Sequence, residues 1–579
     1  MEKSLEAIAA SAGVAIGPVC LWVGMETELN KTKITADGIE HEKQRYRDAV
    51  LACCQQVQQV VDAAGPEEAA IMEAHLAILE DPLLEQLVFE RIEALENAEH
   101  AVYLAGEAVA EQFEATGDEL TMERAADVRD EALRLREQLH GGPARPGLSV
   151  GEPCVILAKD LPPSFTAVMD REKVLGFATE LGGRTSHTAI MARTMDIPAV
   201  VGVRGLMEAA EEGAVAIVDG GAGTVVLNPG AGTLATARVK RQALTRRKAQ
   251  LARLRRLPAE TKDGAVVELM ANIGLERECG YALEQGAEGV GLFRTEYLYM
   301  QGGDFPSEER QFAAYRYAAR QMAGHPVVVR TLDIGGDKAL PYHSYPPEQN
   351  PALGLRAIRF CLQHPGIFKT QLRAILRASA FGELRIMVPM VVSLEELGAT
   401  RELLAACMAE LRAEGRDFNE QIMVGIMVET PASVVLAERL AQKADFFSIG
   451  TNDLAQYLLA ADRGNEWVQP LYSHFHPAVV AGLRQVVQAG HAAGIRVTLC
   501  GEMAGDPRAV PLLLGLGLDK LSMNASTLPS VKQMVRALRG QDARALADEA
   551  LAAATTAEVE ALLDRFMRTH GPAEDETLA

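Results

Sequence analysis

The chain has 579 residues, too many for one compact core and, at about 100 to 200 residues per domain, enough for three or four units, or fewer if one is a barrel. Its 57 basic and 79 acidic residues leave a formal charge of −22, which argues against nucleic acid or an anionic membrane as the main partner and suits a basic protein partner. Eight cysteines at 20, 53, 54, 154, 279, 361, 407 and 500 form no CxxC pair, the usage of a reduced, cytoplasmic protein.

The opening run Leu5 to Met25 carries only Glu6 as a charge, but Gly13, Gly17 and Pro18 break it. It reads as strand and turn rather than as a signal or anchor. Residues 1–34 are therefore expected to join a later α/β domain. From about Thr35 the composition turns rich in Ala, Glu, Gln and Leu with helical periodicity, predicting a helical bundle over 35–145. Asp81-Pro82 punctuates it, and Gly141-Gly142-Pro143 marks its edge.

Short apolar runs between Gly and Asp turns follow, at Cys154 to Leu157, Val174 to Phe177 and Ala214 to Val218. They predict a small α/β domain over 146–229. Within it, Gly182-Gly183-Arg184-Thr185-Ser186-His187-Thr188-Ala189 reads as a loop feeding a helix, with Thr185 or Ser186 as N-cap and His187 in the first turn. Free N–H groups and the helix dipole would suit a phosphoryl group on that imidazole. Read alone, the pattern describes a structural histidine on a capped helix better than a nucleophile. A charged stretch over 230–262, with Arg246-Arg247-Lys248 and Arg255-Arg256, predicts a solvated linker helix.

Over 263–579, apolar strands alternate with helical stretches in the manner of a parallel (β/α)8 TIM barrel. The eight candidates are Val267 to Ile273, Gly289 to Phe293, Val327 to Thr331, Leu384 to Met390, Met423 to Val428, Phe446 to Ile449, Arg496 to Leu499 and Lys520 to Met523. No apolar run is long enough to span a bilayer, Ala509 to Leu518 being about half the length required. Active sites of such barrels lie at the C-terminal strand ends. Here those ends carry Asn272, Arg294-Thr295-Glu296, Arg330 with Asp333 and Lys338, Glu429, Asn452-Asp453 and Cys500-Gly501-Glu502.

Arg294, Arg330 and Arg463 could fork onto phosphate and carboxylate oxygens, which points to a small polyanion. Glu429 and Asp453 are hard oxygen ligands of the kind that hold Mg²⁺. Cys500 stands where a catalytic group would, though a lone cysteine after an apolar run is more often a small buried hydrophobe.

Taken together, the histidine segment, Gly289 to Glu296, Arg330 to Lys338, Asn350 to Arg359, Gly425 to Pro431, Phe447 to Leu454, Asp462 to Asn465 and Cys500-Gly501-Glu502 resemble Enzyme I of the bacterial phosphoenolpyruvate-dependent sugar phosphotransferase system. The resemblance covers nearly the whole chain. It implies a phosphoenolpyruvate–protein phosphotransferase built from a helical bundle beside a swivelling phosphohistidine domain, followed by the barrel. It also implies that His187 takes the phosphoryl group, that pyruvate leaves as an enolate, and that Cys500 protonates the enolate. Mg²⁺ would sit on Glu429 and Asp453, and substrate oxygens on Arg294, Arg330, Asn452, Asp453 and Arg463. Thr166, Lys338 and Arg356 would take supporting roles.

The bundle would dock the histidine-containing phosphocarrier protein HPr through a stretch with Glu67, Glu68 and His75, and the barrel would form a homodimer. One histidine would then serve two sites, with hinges expected near Gly141 to Pro146 and in the linker helix. The rival is a pyruvate phosphate dikinase or phosphoenolpyruvate synthase. It is disfavoured because no Gly-Lys dipeptide of a Walker A loop occurs and the bundle leaves no room for an ATP-binding domain.

Overall fold

The computed structural model describes residues 2–22, 29–63, 72, 75–114, 119–141, 152–161, 173–183, 186–195, 197–300, 303–335, 340, 342–343, 348–465 and 467–572. These divide into two compact units, Met1–Arg246 and Arg247–Glu574.

The first unit contains an eight-stranded sheet. Its strands are β1 (Lys3–Glu6), β2 (Ile8–Ser11), β3 (Val14–Trp22), β4 (Cys154–Ala158), β5 (Val174–Thr179), β6 (Ala199–Val201), β7 (Val215–Asp219) and β8 (Thr224–Leu227). They lie in the order β1-β8-β7-β3-β4-β5-β6-β2. The opening stretch, expected as a strand and turn, is thus three strands that supply both sheet edges and one central position. β3 pairs in parallel with β4, Val19 opposite Val155, so the helical residues between them are an insertion into one sheet. In β4 the period of two buries Val155 and Leu157 on one face and Cys154, Ile156 and Ala158 on the other, as a sheet covered on both sides requires.

The insertion contains α1 (Ile39–Ala63), α2 (Pro82–Glu93), α3 (Ala98–Glu114) and α4 (Glu119–Leu139). Asp81 caps α2 by accepting from the Leu83 amide at 2.8 Å, with Pro82 at the first helical position. Tyr46, Cys53, Leu79, Val88, Ile92, Val102 and Leu135 form the bundle core.

α5 (His187–Met195) follows the Gly-Gly turn, and Ser186 caps it, its hydroxyl accepting from the Ala189 amide at 3.3 Å. Ala189, Ala192 and Met195 press this helix onto Ile156 and Phe177. α6 (Ala231–Leu254) is the linker helix, and it stops short of the expected Lys262. Pro258 is the physical reason, since it has no N–H to donate and disfavours helical backbone in the residue before it.

In the second unit β9 (Glu268–Ile273), β10 (Val290–Arg294), β11 (Val327–Arg330), β12 (Leu384–Val388), β13 (Val424–Val428), β14 (Phe446–Ile449), β15 (Arg496–Leu499) and β16 (Lys520–Asn524) close into an all-parallel barrel. Leu292, Val328, Met387, Met427 and Phe446 fill its interior, and Cys500 belongs to the same cluster. Among the described residues, no helix is long and apolar enough to cross a membrane.

One expected docking residue lies elsewhere than on a surface. His75 is 1% exposed, and its Nδ1 is 2.7 Å from Oε1 of Glu131, which also pairs with Arg134. A charge brought from water into the bundle needs such a partner, so His75 is tied into the packing. Burial alone would lower the imidazole pKa, but the hydrogen bond and charge of Glu131, with Asp130 and Asp127 behind it, leave it raised. A raised folded value stabilises below the unfolded pKa and loses that contribution as pH climbs through the folded one. His75→Gln should therefore cost about 1–3 kcal/mol near pH 6 and markedly less near pH 9, checked by thermal denaturation at both. An equal loss at both pH values would contradict the ion pair.

Candidate active site

The C-terminal ends of the barrel strands converge on a cavity of about 380 Å³ bounded by Arg294, Arg330, Glu429, Asn452, Arg463 and Cys500. Asp453 lines it too, so seven of the expected site residues share one wall. A second cavity of about 620 Å³ adjoins it through Arg294, Tyr297, Gly501 and Glu502, with Asn272 on its lining.

Backbone geometry places each group. Arg294 and Arg330 are the last residues of β10 and β11, opposite each other in register. Glu429 follows β13 directly, and its Oε1 accepts from the Met390 amide at 2.7 Å. Met390 has φ +59°, a left-handed conformation that side chains other than Gly rarely adopt. Gly450 ends β14, where a Cβ would stand 2.7 Å from Oε2 of Glu429. α7 (Thr451–Leu459) begins there and carries Asn452 and Asp453 in its first turn.

The charges are interlocked. Arg330 bonds Glu296 and lies 2.9 Å from Asp333. Asp333 also accepts from Arg356 at 3.1 Å, and Arg356 reaches Asp453 at 3.6 Å. Arg463 is 4.0 Å from Asp453. Three arginines, Arg330, Arg356 and Arg463, thus face Glu296, Asp333 and Asp453. Burial, then Asp453 and Asp333, hold the Glu429 carboxyl above the usual carboxylate range despite Arg330 and Arg356. Oε2 of Glu429 and Oδ1 of Asp453 are buried and accept no hydrogen bond. Two such carboxylate oxygens lining one cavity are of the kind that suits a hard cation.

Cys500 is 2% exposed, and burial pushes its thiol up to about 11, a neighbouring Ser448 hydroxyl opposing. It therefore carries a proton at neutral pH. Asn272 holds the Cys500 carbonyl through Nδ2 at 2.9 Å and accepts from the Ser522 hydroxyl at 2.6 Å. Asn452 accepts from the Glu502 amide through Oδ1 at 3.1 Å, which leaves its amide hydrogens as donors for a ligand.

His187 is the first residue of α5, and its side chain lies outside the described residues. Thr166, Lys338, Glu67, Glu68 and the expected hinge residues 142–146 also lie outside them. The sequence reading missed Tyr472 and Gln469, which line the cavity from a loop, and the Met390 amide. A loop residue leaves no periodic signature, and a backbone donor leaves none at all.

A barrel-mouth cavity that sets arginines beside carboxylates and a protonated thiol has the make-up of an enzyme site for a small anion. Residues 6–124, 150–223 and 248–539 match, respectively, the N-terminal, mobile and PEP-binding domains of PEP-utilising enzymes. The phosphoenolpyruvate-protein phosphotransferase of Haemophilus influenzae is 43% identical over 97% of this chain and 99% of its own length, and that of Staphylococcus carnosus is 43% identical over 98% and 100%. The NMR solution structure of an Enzyme I (nEIt) protein is 39% identical, covers 42% of this chain and 99% of its own, and has a TM-score of 0.38. The chain belongs to the phosphoenolpyruvate-protein phosphotransferase family.

Gly501 follows Cys500 where a Cβ would fall 1.9 Å from the Thr451 hydroxyl and 2.8 Å from the Thr451 amide. Gly501→Ala must therefore displace either the cysteine or the start of α7. A misplacement of about 1 Å costs on the order of 10²-fold in rate. A steady-state assay of pyruvate release should show that fall, and retained activity would mean the two segments yield without moving the thiol.

Proposed function

We propose that the barrel binds phosphoenolpyruvate and that its phosphoryl group passes to His187 and onward to the histidine of HPr. The observation that carries this is the 380 Å³ cavity in which Arg294, Arg330 and Arg463 surround a protonated, buried Cys500. Arginine forks hold the phosphate and carboxylate oxygens, and the Asn452 amide hydrogens add a neutral donor. His187, at the positive end of α5, attacks phosphorus as a neutral imidazole. The P–O bond to the enol oxygen breaks, and pyruvate leaves as an enolate. The Cys500 S–H bond then breaks, its proton goes to the methylene carbon to make the methyl group of pyruvate, and a thiolate remains.

Mg²⁺ fits on Glu429 and Asp453, whose unbonded buried oxygens provide two ligands, and when bound it would neutralise charge on the enolate oxygen. Arg356 keeps Asp333 and Asp453 in place. Thr166 and Lys338 are assigned supporting roles at the histidine and the substrate, and Glu67 and Glu68 the docking of HPr, whose basic surface an acidic chain of charge −22 would attract. The division into residues 1–34 with 146–229, a carrier-binding 35–145, a linker 230–262 and a barrel 263–579 follows from these roles. Eight cysteines without a disulfide suit the cytoplasm.

A homodimer through the barrel is supported by Trp467 and Leu471, 93% and 67% exposed in the loop after Arg463, a surface that a second copy would cover. Trp467→Glu should lower the dimer fraction in sedimentation velocity, and an unchanged fraction would remove this loop from the interface. His187→Ala should abolish acid-labile label from phosphoenolpyruvate. Cys500→Ala should slow pyruvate formation by about 10²- to 10⁴-fold, the scale of a lost general acid, while His187 still exchanges phosphoryl with HPr. Label on the His187→Ala chain would overturn the phosphohistidine assignment, and an undiminished Cys500→Ala rate the proton donor.

A further inference from the structure

Arg463 is the cavity arginine that comes from a loop rather than a strand end. It stands on the loop that leaves α7, its side chain is 34% exposed, and its ion pair with Asp453 spans 4.0 Å. Asn452 has its side-chain oxygen fixed by Glu502, but a turn of helix opening at a cavity rim also needs its backbone held. Both meet at the hydroxyl of Tyr472. That phenol lies 3.1 Å from the Asn452 carbonyl oxygen and 2.8 Å from Nε2 of His474, and the positive Arg463 guanidinium faces it closely enough to interact.

Counting protons decides the direction of these bonds. The phenol carries one hydrogen, because burial pushes its pKa up to about 12. The Asn452 carbonyl can only accept, so the Tyr472 hydrogen goes to it. The phenol oxygen must then accept from both remaining neighbours. Arg463 donates by necessity, and His474 donates if its proton is on Nε2. Burial lowers the His474 pKa, so the ring is neutral with one hydrogen to place. Putting it on Nδ1 would leave Nε2 and the phenol oxygen as two acceptors 2.8 Å apart. The same ring packs edge-on against Tyr472, centroids 5.2 Å apart.

We propose that Tyr472 is a positioning residue for the substrate anion. Its hydroxyl holds Arg463 and the Asn452 backbone at the cavity wall, and the Nε2–H of His474 buttresses it. A residue on a loop without regular structure thereby fixes two groups that come from opposite ends of α7. This rests on the phosphoenolpyruvate reading above.

The test uses the full chain with Mg²⁺ and HPr. For Tyr472→Phe, which keeps the ring and removes the post, the expected result is a KM for phosphoenolpyruvate raised about tenfold, the scale of one lost hydrogen bond to a charged group, with kcat changed far less. His474→Leu should raise KM in the same way, and His474→Gln, which retains an N–H donor, should restore most of it. Because Leu could disturb packing, the melting temperature and the Kd of oxalate, an enolate mimic, are measured alongside. A KM unchanged in Tyr472→Phe overturns the proposal. So does a parallel loss of kcat and melting temperature without a KM effect, or a Gln variant no better than Leu. A wild-type chain that releases no pyruvate from phosphoenolpyruvate would instead overturn the substrate reading.

Discussion

The barrel mouth depends on one buried exchange of charge, Asp333 shared between Arg330 and Arg356. Each guanidinium would be costly to hold away from water alone, and a shared carboxylate at 2.9 and 3.1 Å repays part of that cost to both. With Asp333 taking up this charge, Oε2 of Glu429 and Oδ1 of Asp453 accept no hydrogen bond, although Oδ1 faces Arg356 at 3.6 Å and Arg463 at 4.0 Å. The mouth thus holds carboxylate oxygens without hydrogen bonds beside a set of arginine donors.

The same burial that makes the charges interact strongly gives Cys500 its chemistry. In water a thiol with an ordinary pKa of about 8.5 keeps a few per cent of thiolate at neutral pH. Here the barrel interior of Leu292, Met387, Met427 and Phe446 lies beneath it and keeps it protonated. The reading of Cys500 as a small core hydrophobe and its reading as a proton donor are therefore two descriptions of one position. An apolar floor keeps such a thiol in its neutral form.

The strand ends were legible because a parallel barrel writes its active site in a regular code, and six of the eight apolar runs stop at a polar residue. The eight strands fall within a residue or two of the expected bounds for that reason. Other features carried no such code. Three strands in the first twenty-two residues were compressed into one, since Gly13, Gly17 and Pro18 break the alternation. The linker helix was drawn past Pro258, where charge composition masked the breaker. His75 was assigned to a surface because its buried partner, Glu131, lies two helices away in the chain.

Residue type and order by themselves determined the barrel, a capped start of α5 at Thr185 or Ser186 and the presence of arginine, carboxylate and thiol at strand ends. These rest on local spacing, on a period of two or 3.6 and on the turn chemistry between them. Only the tertiary structure decided which carboxylates are consumed by ion pairs and which are left open, that Cys500 is kept protonated, and that Tyr472 meets both Arg463 and Asn452. Those outcomes come from burial and from distances between segments far apart in the chain, and neither quantity is written in the order of residues.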